Sequence, residues 1–481
     1  MNRFEYRRRL RRDRRRRQLQ HIAIGTGCVL LAGLCTTGAF LFLKKPINSS
    51  TEAPSSPLVI EINQNSGEDT PRVPETAESS PSEVIIVDSP AGQLLTKAAA
   101  IAAGYDYDGA IALLQSDPEL SSNPAILEAI ASYEQTKASL VKAKIGQVTH
   151  VFFHSLVMDN QKAFDGDADM GGYNQVMTTA NEFKKILQSM YDKGFVLVRM
   201  HDLAYETTDE NGKTVMKPGT ILLPEGKRPF VMSQDDVCYY PYMAGDGFAT
   251  RMIVGEDGKP TCEMKVDDDT TLVGSYDLVP LLEDFIQEHP DFSYKGARAV
   301  IAFTGYEGVL GYRTADKYAD SDTYEQDCRE AARVAQCLKD NGWELASHSW
   351  GHLMMGEIDM DRFRTDTDKW EQQVDSLVGP VDIILYPFGN DINDWRPYTA
   401  ENEKFTYLYN AGFRYFCNVD SNEYWIQIGD NYLRQGRRNL DGYRMWKDMT
   451  AESEGRERKL EDLFHAEDVF DPDRPTPVPE M

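Results

Sequence analysis

The segments Ser233-Gln234-Asp235-Asp236-Val237 and Ser347-His348-Ser349-Trp350-Gly351-His352 carry the strongest information about the fold of this chain. The first segment follows an apolar run at residues 228–232, and the second follows a shorter one at residues 342–346. Short apolar runs bounded by polar residues are typical of buried strands. The sequence therefore predicts that both segments lie at the ends of strands.

The polar residues of these segments predict a metal site. His348 and His352 are four residues apart, which places both imidazoles on one face if a helical turn starts there. Together with one carboxylate they would give a divalent metal three ligands and leave a position for water or substrate. The second carboxylate of the Asp235-Asp236 pair could then accept a proton. Either motif alone can arise by chance, and their joint occurrence at predicted strand ends is the stronger signal.

A third apolar run ends in the turn Tyr386-Pro387-Phe388-Gly389-Asn390. With this motif, residues 147–450 resemble the NodB-type polysaccharide deacetylases, carbohydrate esterase family 4. The resemblance implies that Asp235 is the catalytic base. It also implies that a divalent metal, with Zn²⁺ as the first choice, is held by Asp236, His348 and His352.

Strand-like runs alternate with helical stretches in this region, of which residues 274–289 and 323–341 are the clearest helices. This alternation predicts an α/β fold with a parallel sheet. The resemblance narrows the prediction to a distorted, incomplete (β/α) barrel of the NodB type, with the site at the carboxyl ends of the strands.

The resemblance also implies a substrate pocket. The backbone near residues 237–239 would donate hydrogen bonds to the oxyanion, and the pocket itself would be lined by Tyr239, Tyr386, Pro387, Asp420 and Trp425. Asp420 and Trp425 resemble a later family motif that shapes the acetyl pocket. The alternative for these two residues is a turn carboxylate and a core aromatic.

Two features depart from the family pattern. The turn motif usually carries an arginine that orients the base, and Leu385 occupies that position here. Arg396, Arg313 or Arg199 could substitute, and the sequence does not choose among them. The family also supplies a general-acid histidine near the end of the domain, whereas only His465 follows His352.

An early strand offers a replacement for the acid. Residues 148–156 resemble the start of the poly-N-acetylglucosamine deacetylase branch, in which the motif order is permuted and the acid comes from the first strand. The resemblance implies that His154 is the general acid, with His150 as the second candidate and a structural role as the alternative for either. His201, after another predicted strand, is expected to be structural.

The N-terminal region predicts a membrane anchor. Residues 1–20 contain ten arginines and are predicted to form a basic cytoplasmic segment, and residues 21–43 include an uncharged stretch long enough to span a bilayer. A cleaved signal peptide is the alternative, but no clear cleavage site follows. The prediction is a single-pass protein of the cell membrane whose catalytic domain is extracellular.

The remaining segments differ in character. Residues 44–90 are rich in Ser, Pro, Glu and Thr and predict a disordered linker. Residues 91–145 predict a small all-α segment, a helical hairpin weakly similar to a tetratricopeptide unit, and a possible surface for a protein partner. Residues 206–227 predict a hairpin insertion with Asn211-Gly212 as its turn. Residues 451–481 are acidic and are predicted to fray.

The net charge restricts the expected binding partners, and the cysteine content restricts the expected disulfides. Residues 1–45 carry twelve basic and two acidic residues, so the net charge of −26 leaves −36 for the remainder. Such an acidic surface argues against binding to nucleic acid. The odd number of cysteines outside the predicted anchor leaves at least one unpaired, and Cys238 with Cys262 is the first candidate disulfide.

Together these features predict a metal-dependent enzyme that removes N-acetyl groups from N-acetylhexosamine units of a polysaccharide, such as peptidoglycan of the cell wall or an exopolysaccharide containing N-acetylglucosamine. The alternatives are a catalytically weak glycan-binding or scaffold protein of the same fold, and a glycan O-acetyl esterase using the same metal site.

Overall fold

Seven parallel strands form a closed barrel in the computed structural model, which describes residues 89–480. In chain order they are β1 (Thr149–Phe153), β2 (Arg228–Gln234), β3 (Val300–Phe303), β4 (Glu344–Ser347), β5 (Ile383–Leu385), β6 (Tyr415–Val419) and β7 (Leu433–Asn439). The barrel order is β3-β4-β5-β6-β7-β1-β2, and pairing of β2 with β3 closes it. The predicted (β/α) barrel is therefore confirmed, although its seven strands close completely where the sequence predicted an incomplete barrel.

Helices cover the outside of the barrel, so its strands are buried on both faces. The longer helices are Ala180–Asp192, Leu278–Glu288, Tyr324–Asp340, Met360–Trp370, Glu403–Asn410 and Gly442–Met449. Shorter helical segments are Asn160–Ala163, Met170–Val176, Ser376–Val378 and Ala466–Val469, together with the π-helical Glu371–Asp375. The two helices that the sequence indicated most clearly lie at Leu278–Glu288 and Tyr324–Asp340, as expected.

Helix Ala180–Asp192 shows how local sequence places these elements. The Thr179 hydroxyl accepts a hydrogen bond from the Glu182 backbone N–H, and the Glu182 carboxylate accepts one from the Thr179 N–H. This capping box fixes where the helix starts. The helix then buries a face at Phe183, Ile186, Leu187 and Met190 against the barrel.

The other strands lie outside the closed barrel. Phe195–Leu197 pairs with β2, and Ile426–Ile428 pairs with β7. Ala204–Thr208 and Thr214–Pro218 form the predicted hairpin, with Asn211-Gly212 in its loop. Val141–Lys142 pairs with Leu222–Leu223. A three-stranded antiparallel sheet of Ala249–Val254, Pro260–Lys265 and Thr271–Gly274, which the sequence did not indicate, follows β2.

Residues 90–138 form the three helices Pro90–Ala103, Tyr107–Gln115 and Pro124–Ala138. Tyr105, between the first two, donates a hydrogen bond from its hydroxyl to the Asp291 carbonyl at 2.9 Å and stacks on Tyr294. Within residues 89–480, none of the helices is long and apolar enough to cross a membrane. The predicted transmembrane segment at 21–43 lies outside the described residues, as do residues 1–20 and 44–88.

The C-terminal residues do not fray, contrary to the sequence prediction. Leu460, Leu463, Phe464 and Val469 are buried in the main core. Acidic composition was misleading here, because apolar residues at irregular spacing escape a periodicity argument while still finding places in a core.

The predicted Cys238–Cys262 disulfide is also wrong. All five cysteines within residues 89–480 are free thiols. Cys262 packs in the main core, where its sulfur lies 3.6 Å from the Tyr239 hydroxyl, whereas Cys238 packs in a separate cluster with Tyr240 and Phe248. The two side chains therefore face different parts of the structure.

His201 joins two carboxylates at the amino ends of the strands. Its Nδ1 pairs with Glu344, and its Nε2 lies 3.0 Å from Asp382 Oδ2. Burial disfavours the charged imidazole, but the hydrogen bonds to Asp382 and Glu344 and the charges of both carboxylates together outweigh this and raise the pKa of His201 to about 10. The residue is structural, as the sequence suggested.

The ion pairs of His201 with Glu344 and Asp382 predict a pH-dependent contribution to the stability of the fold. Since the folded pKa lies above the unfolded value of about 6.5, the stabilisation should be complete below that pH and be lost as the pH rises toward 10. Denaturant unfolding of the wild type and of His201→Gln at several pH values measures this. The difference in unfolding free energy should shrink from pH 6 to pH 10, and a constant difference would contradict the assignment.

Candidate metal and catalytic site

The two polar motifs meet at the carboxyl end of the barrel. Asp235 and Asp236 directly follow β2, and His348 directly follows β4. Backbone hydrogen bonds extend both strands into the site, from the Asp235 N–H to the Phe153 carbonyl at 2.9 Å and from the His348 N–H to the Phe303 carbonyl at 2.7 Å. The positions of these side chains are thus fixed by the sheet itself.

A loop, and not the anticipated helical turn, brings the two histidines together. Ser349 and His352 have φ angles of 56° and 51°, and Asp236 has a φ of 61°. These left-handed conformations are uncommon for residues other than glycine and cluster at functional sites. The ring centroids of His348 and His352 lie 5.0 Å apart as a result.

Asp236, His348 and His352 each offer a ligand atom, and these atoms all lie within 4.8 Å of one another. All three residues are buried. Two imidazoles and one carboxylate are a donor set that suits a divalent transition metal and leaves a coordination position open. The residues present therefore fit the metal that the sequence predicted.

Neighbouring groups orient two of these ligands. The His348 Nδ1 donates to the Leu385 carbonyl at 2.6 Å, which leaves its Nε2 to bind a metal. Burial lowers the pKa of His348, so the ring is neutral and able to act as a ligand. The Tyr240 hydroxyl donates to Asp236 Oδ1 at 2.8 Å, while Asp236 Oδ2 lies 3.6 Å from His352 Nε2.

Arg437 is the arginine that contacts the predicted base. Its Nη1 donates to Asp235 Oδ1 at 2.6 Å, and both side chains are buried. Burial by itself would raise the pKa of Asp235, but the charge and hydrogen bond of Arg437, together with the nearby His348 and His154, outweigh it and lower the pKa below the usual value. Asp235 is therefore a carboxylate at neutral pH, and its Oδ2 lies 3.8 Å from His348 Nε2.

The three arginines considered from the sequence make other contacts. Arg199 donates to the Lys295 carbonyl, Arg313 to the carbonyls of Glu307 and Tyr239, and the Arg396 carbonyl accepts from Arg434. The sequence missed Arg437 because β7 reads Leu433-Arg434-Gln435-Gly436-Arg437-Arg438-Asn439, which does not resemble a buried strand. All seven of its residues are nevertheless buried.

His154, the predicted acid, follows β1 beside the predicted base. Its Nδ1 lies 3.1 Å from the Val176 carbonyl, so Nδ1–H donates there and Nε2 is left for other partners. Phe153 pairs with Gln234 in neighbouring parallel strands, so His154 and Asp235, the residues that follow, leave these strands side by side. The structure therefore places a half-buried imidazole next to Asp235, and its role as an acid stays a prediction.

His150, the second candidate, lies inside the barrel. Its Nδ1 contacts the Gln435 amide oxygen at 3.1 Å, and its Nε2 contacts the Ser233 hydroxyl at 3.0 Å. Burial lowers its pKa to about 3. With both ring nitrogens engaged and the ring fully enclosed, His150 fills a structural position.

Two of the predicted pocket residues point into the core instead. The Tyr239 hydroxyl donates to Asp277 Oδ2 at 2.8 Å, and the Tyr386 hydroxyl lies 3.1 Å from that of Tyr398. Both side chains are buried. A motif spacing predicts which segment reaches a site but not which of its side chains faces it, because neighbouring residues alternate in direction.

The other pocket candidates lie at or behind the rim. Pro387 is buried in the turn after β5. Asp420 accepts a hydrogen bond from the Asn422 N–H at 2.7 Å, as a turn carboxylate does, and the Trp425 ring lies 5.0 Å from the Arg434 guanidinium. Asp420 and Trp425 both flank Gly436, the residue before Arg437. Their role in an acetyl pocket stays a prediction.

The backbone after Asp236 is engaged within the protein. The Val237 N–H donates to the Ala302 carbonyl at 3.1 Å, and the Cys238 N–H donates to the Asp236 carbonyl at 2.7 Å. Neither N–H is thus directed at a substrate oxygen in this structure. The predicted oxyanion contact from this segment is wrong for these two residues.

Aromatic side chains lie beside two of the metal ligands, His352 and Asp236. Phe388 is exposed, has a φ of 58°, and its ring centroid lies 4.5 Å from that of His352. On the side of Asp236, Tyr240 stacks on Tyr242 with centroids 5.5 Å apart. Trp395, which is 73% exposed, lies in the loop that follows Phe388. These rings provide apolar faces around a polar centre.

A cavity of about 450 Å³ lies elsewhere, at the opposite end of the barrel. It is lined by His201, Trp370, Asp382 and Phe413, among others. This end carries the residues that precede the strands, where side chains of a (β/α) barrel usually serve stability. The chemistry is assigned to the carboxyl end because the metal-ligand set lies there.

Comparisons with known proteins give structural matches only. No family model matches this chain, and no curated protein matches it. Among solved structures it is similar to BA0330 of Bacillus anthracis, described as a candidate polysaccharide deacetylase, with 12% identity, coverage of 63% of this chain and 65% of that chain, and a TM-score of 0.32. It is also similar to the Streptococcus pyogenes deacetylase PplD in complex with acetate, with 12% identity, coverage of 63% and 94%, and a TM-score of 0.32. The chain thus spans slightly less than two thirds of the length of BA0330.

Proposed function

We propose that this protein is a metal-dependent deacetylase that removes N-acetyl groups from N-acetylhexosamine units of a cell-wall or extracellular glycan. One observation carries the proposal: three buried ligand atoms within 4.8 Å of one another stand beside a separate carboxylate, Asp235, that Arg437 keeps ionised. This combination suits hydrolysis, which needs both an activated water and an acceptor for its proton.

The residues of the site have the following roles in the proposed hydrolysis. A divalent ion such as Zn²⁺, bound by Asp236, His348 and His352, would supply a Lewis acid and lower the pKa of a water. Asp235 accepts the proton of the attacking water as the water oxygen adds to the acetyl carbon. His154 donates a proton from Nε2 to the leaving nitrogen when the carbon–nitrogen bond breaks. Acetate and the free amine are the products.

The surroundings of the site support a sugar substrate. Phe388 and Tyr242 expose aromatic faces near the metal ligands, and the exposed Trp395 lies in the loop that follows Phe388. Aromatic rings bind the apolar faces of a hexose well, because they offer a large rigid surface at a low cost in entropy. An open rim of this kind suits a long polymer better than an enclosed cavity would.

The location rests on the sequence. In this proposal residues 21–43 span the cell membrane once, residues 1–20 remain in the cytoplasm, and the barrel acts outside on peptidoglycan or a polymer containing N-acetylglucosamine. The acidic surface of the barrel suits such a polymer, since removal of acetyl groups leaves positively charged amines.

Acetate release tests the function directly. The full-length protein should release acetate from N-acetylglucosamine oligomers or from purified cell wall. A chelator should abolish the release, and added Zn²⁺ or another divalent ion should restore it. Absence of acetate from both substrates, with a full complement of bound metal, would refute the proposal.

His154→Ala tests the assignment of the acid. General acids contribute about 10²–10⁴-fold to rate, so turnover of an N-acetyl substrate should fall by about that factor. Metal content should not change, because His154 is not one of the three ligands. Hydrolysis of 4-nitrophenyl acetate, whose leaving group needs no proton, should be nearly unaffected. Equal losses on both substrates would show that His154 supports the fold instead.

A further inference from the structure

Arg474, in the C-terminal segment, has a completely buried side chain. Its Nε donates to Glu182 Oε1 at 2.8 Å, and its Nη2 donates to Glu182 Oε2 and to the Met177 carbonyl, the latter at 3.0 Å. Its Nη1 donates to the carbonyl and to the side-chain oxygen of Asn174, at 2.9 and 3.0 Å. The five N–H groups of the guanidinium thus meet five acceptors.

Three of those acceptors belong to residues that flank Val176. Two are oxygens of Asn174, and the third is the Met177 carbonyl. Val176 ends the helix Met170–Val176, and its carbonyl is the one that His154 Nδ1 contacts at 3.1 Å. The last carbonyls of a helix lack partners within it, and a helix of seven residues has little stability of its own. The donors that Arg474 supplies therefore hold the chain on both sides of the Val176 carbonyl.

Other contacts attach the C-terminal strap, defined as residues 470–475, to the same region of the chain, residues 174–182. Asp471 Oδ2 accepts from the Thr179 hydroxyl at 2.8 Å, and the Asp471 N–H donates to Glu182 Oε1 at 3.0 Å. The Asn174 side-chain amide donates to the Pro475 carbonyl at 2.8 Å. The strap therefore holds the helix end through its backbone as well as through Arg474.

The fit around Arg474 is close. A Cβ at Gly442 would lie 2.2 Å from the Asn174 carbonyl oxygen and 2.4 Å from Arg474 Nη1. Gly442 directly follows Asp441, the carboxylate whose charge interacts with His154. The same packing thus adjoins the Val176 carbonyl, which His154 contacts, and the chain next to Asp441.

We propose that Arg474 is a positioning residue for the general acid. It holds the Val176 carbonyl, the carbonyl holds Nδ1 of His154, and Nε2 of His154 is thereby directed at the leaving nitrogen. The inference rests on the proposed function, in which His154 donates the proton. The C-terminal strap is then part of the catalytic apparatus although it touches no reacting atom.

A purely structural role for Arg474 makes a different prediction. Loss of a buried ion pair that only stabilises the fold should lower the rates on all substrates alike. Loss of acid positioning should lower the rate only where the leaving group needs a proton. The ratio of amide to ester turnover therefore separates the two roles.

The test uses the full-length protein and the variant Arg474→Lys, which keeps the charge but loses the fork of donors. The matched control is Arg298→Lys, because Arg298 pairs with Glu283 at 2.7 and 2.9 Å, is also largely buried, and precedes β3 at the amino end of the barrel. Turnover is measured on an N-acetylglucosamine oligomer and on 4-nitrophenyl acetate, and metal content by elemental analysis.

Arg474→Lys should lower amide turnover about 10-fold or more, a part of the 10²–10⁴-fold that an acid contributes, with little change in ester turnover or metal content. Arg298→Lys should leave the amide-to-ester ratio unchanged. If Arg474→Lys does not fold, Asn174→Ala, which keeps the Arg474–Glu182 ion pair, must change the ratio in the same direction.

Two outcomes separate this inference from the proposed function. If His154→Ala leaves the amide-to-ester ratio unchanged, the assignment of the acid fails, and the role of Arg474 fails with it. If His154→Ala lowers the ratio while Arg474→Lys or Asn174→Ala does not, only the positioning role is overturned. A change in ratio in Arg298→Lys equal to that in Arg474→Lys would overturn it as well.

Discussion

Replacing Asp236, His348 or His352 by alanine should remove the bound metal and the activity together. Each residue provides one of three ligand atoms, and no fourth His, Cys, Asp or Glu joins the set within residues 89–480. Mutation of outer partners of metal ligands typically costs about 10–100-fold in affinity or activity, and loss of a ligand should exceed this. Elemental analysis and acetate release, measured on the same samples, check the prediction.

Two further variants provide comparisons for the loss of metal in the ligand variants. Tyr240→Phe removes the hydrogen bond to Asp236 but no ligand, so it should weaken metal binding within the smaller range of about 10–100-fold. His289→Ala serves as the control, because this imidazole packs against Tyr191, with ring centroids 4.3 Å apart, away from the site. Full metal stoichiometry in the His348→Ala/His352→Ala double variant would refute the site.

Asp235→Asn should retain the metal and lose most of its turnover. The substitution removes the proton acceptor without removing a ligand, so a loss of about 10²–10⁴-fold is expected. It also leaves the buried Arg437 without its counter-charge, which typically costs about 3–5 kcal/mol of stability. Rates, metal content and denaturant unfolding measure the three effects separately.

A double variant separates catalysis from stability at this pair. Asp235→Asn/Arg437→Met removes both members of the ion pair, so much of the lost stability should return while turnover stays low. Near-native turnover of an amide substrate by either variant would show that Asp235 is not the base.

The contact between Arg437 and Asp235 bears on the alternative of a catalytically weak scaffold. That alternative drew support from Leu385, which stands where the family pattern has an arginine. The structure shows that Leu385 orients His348 through its backbone carbonyl and that an arginine from another strand reaches the base. Loss of the motif arginine therefore does not imply loss of its function.

The parts of the site that the sequence predicted are those that directly follow apolar strands. Asp235, Asp236 and His348 belong to this group, because hydrophobic pattern and motif coincide there. Arg437 could not be found in this way, since a buried strand that contains three arginines has no apolar pattern. The barrel supplies partners for these charges only once it is closed.

The C-terminal region shows a similar limit to prediction from sequence. Its buried charges, such as Arg474, look like surface residues in a one-dimensional sequence. Their acceptors come from residues about 300 positions earlier in the chain. Pairing over such a distance leaves no local signal, so composition predicted a frayed tail where the structure has an ordered one.

The order of the strands has a consequence for when the protein becomes active during its synthesis. β1 lies between β7 and β2 in the barrel. β1 is the first barrel strand to be synthesised and β7 is the last, so β1 can pair with both of its neighbours only after β7 has been made. The ribosome has produced the predicted base and all three metal ligands well before it reaches Arg437. A nascent chain therefore lacks the charge partner of its base, and contacts of such long range also form slowly. Hydrolytic competence should arise only after β7 has been synthesised and has paired with β1.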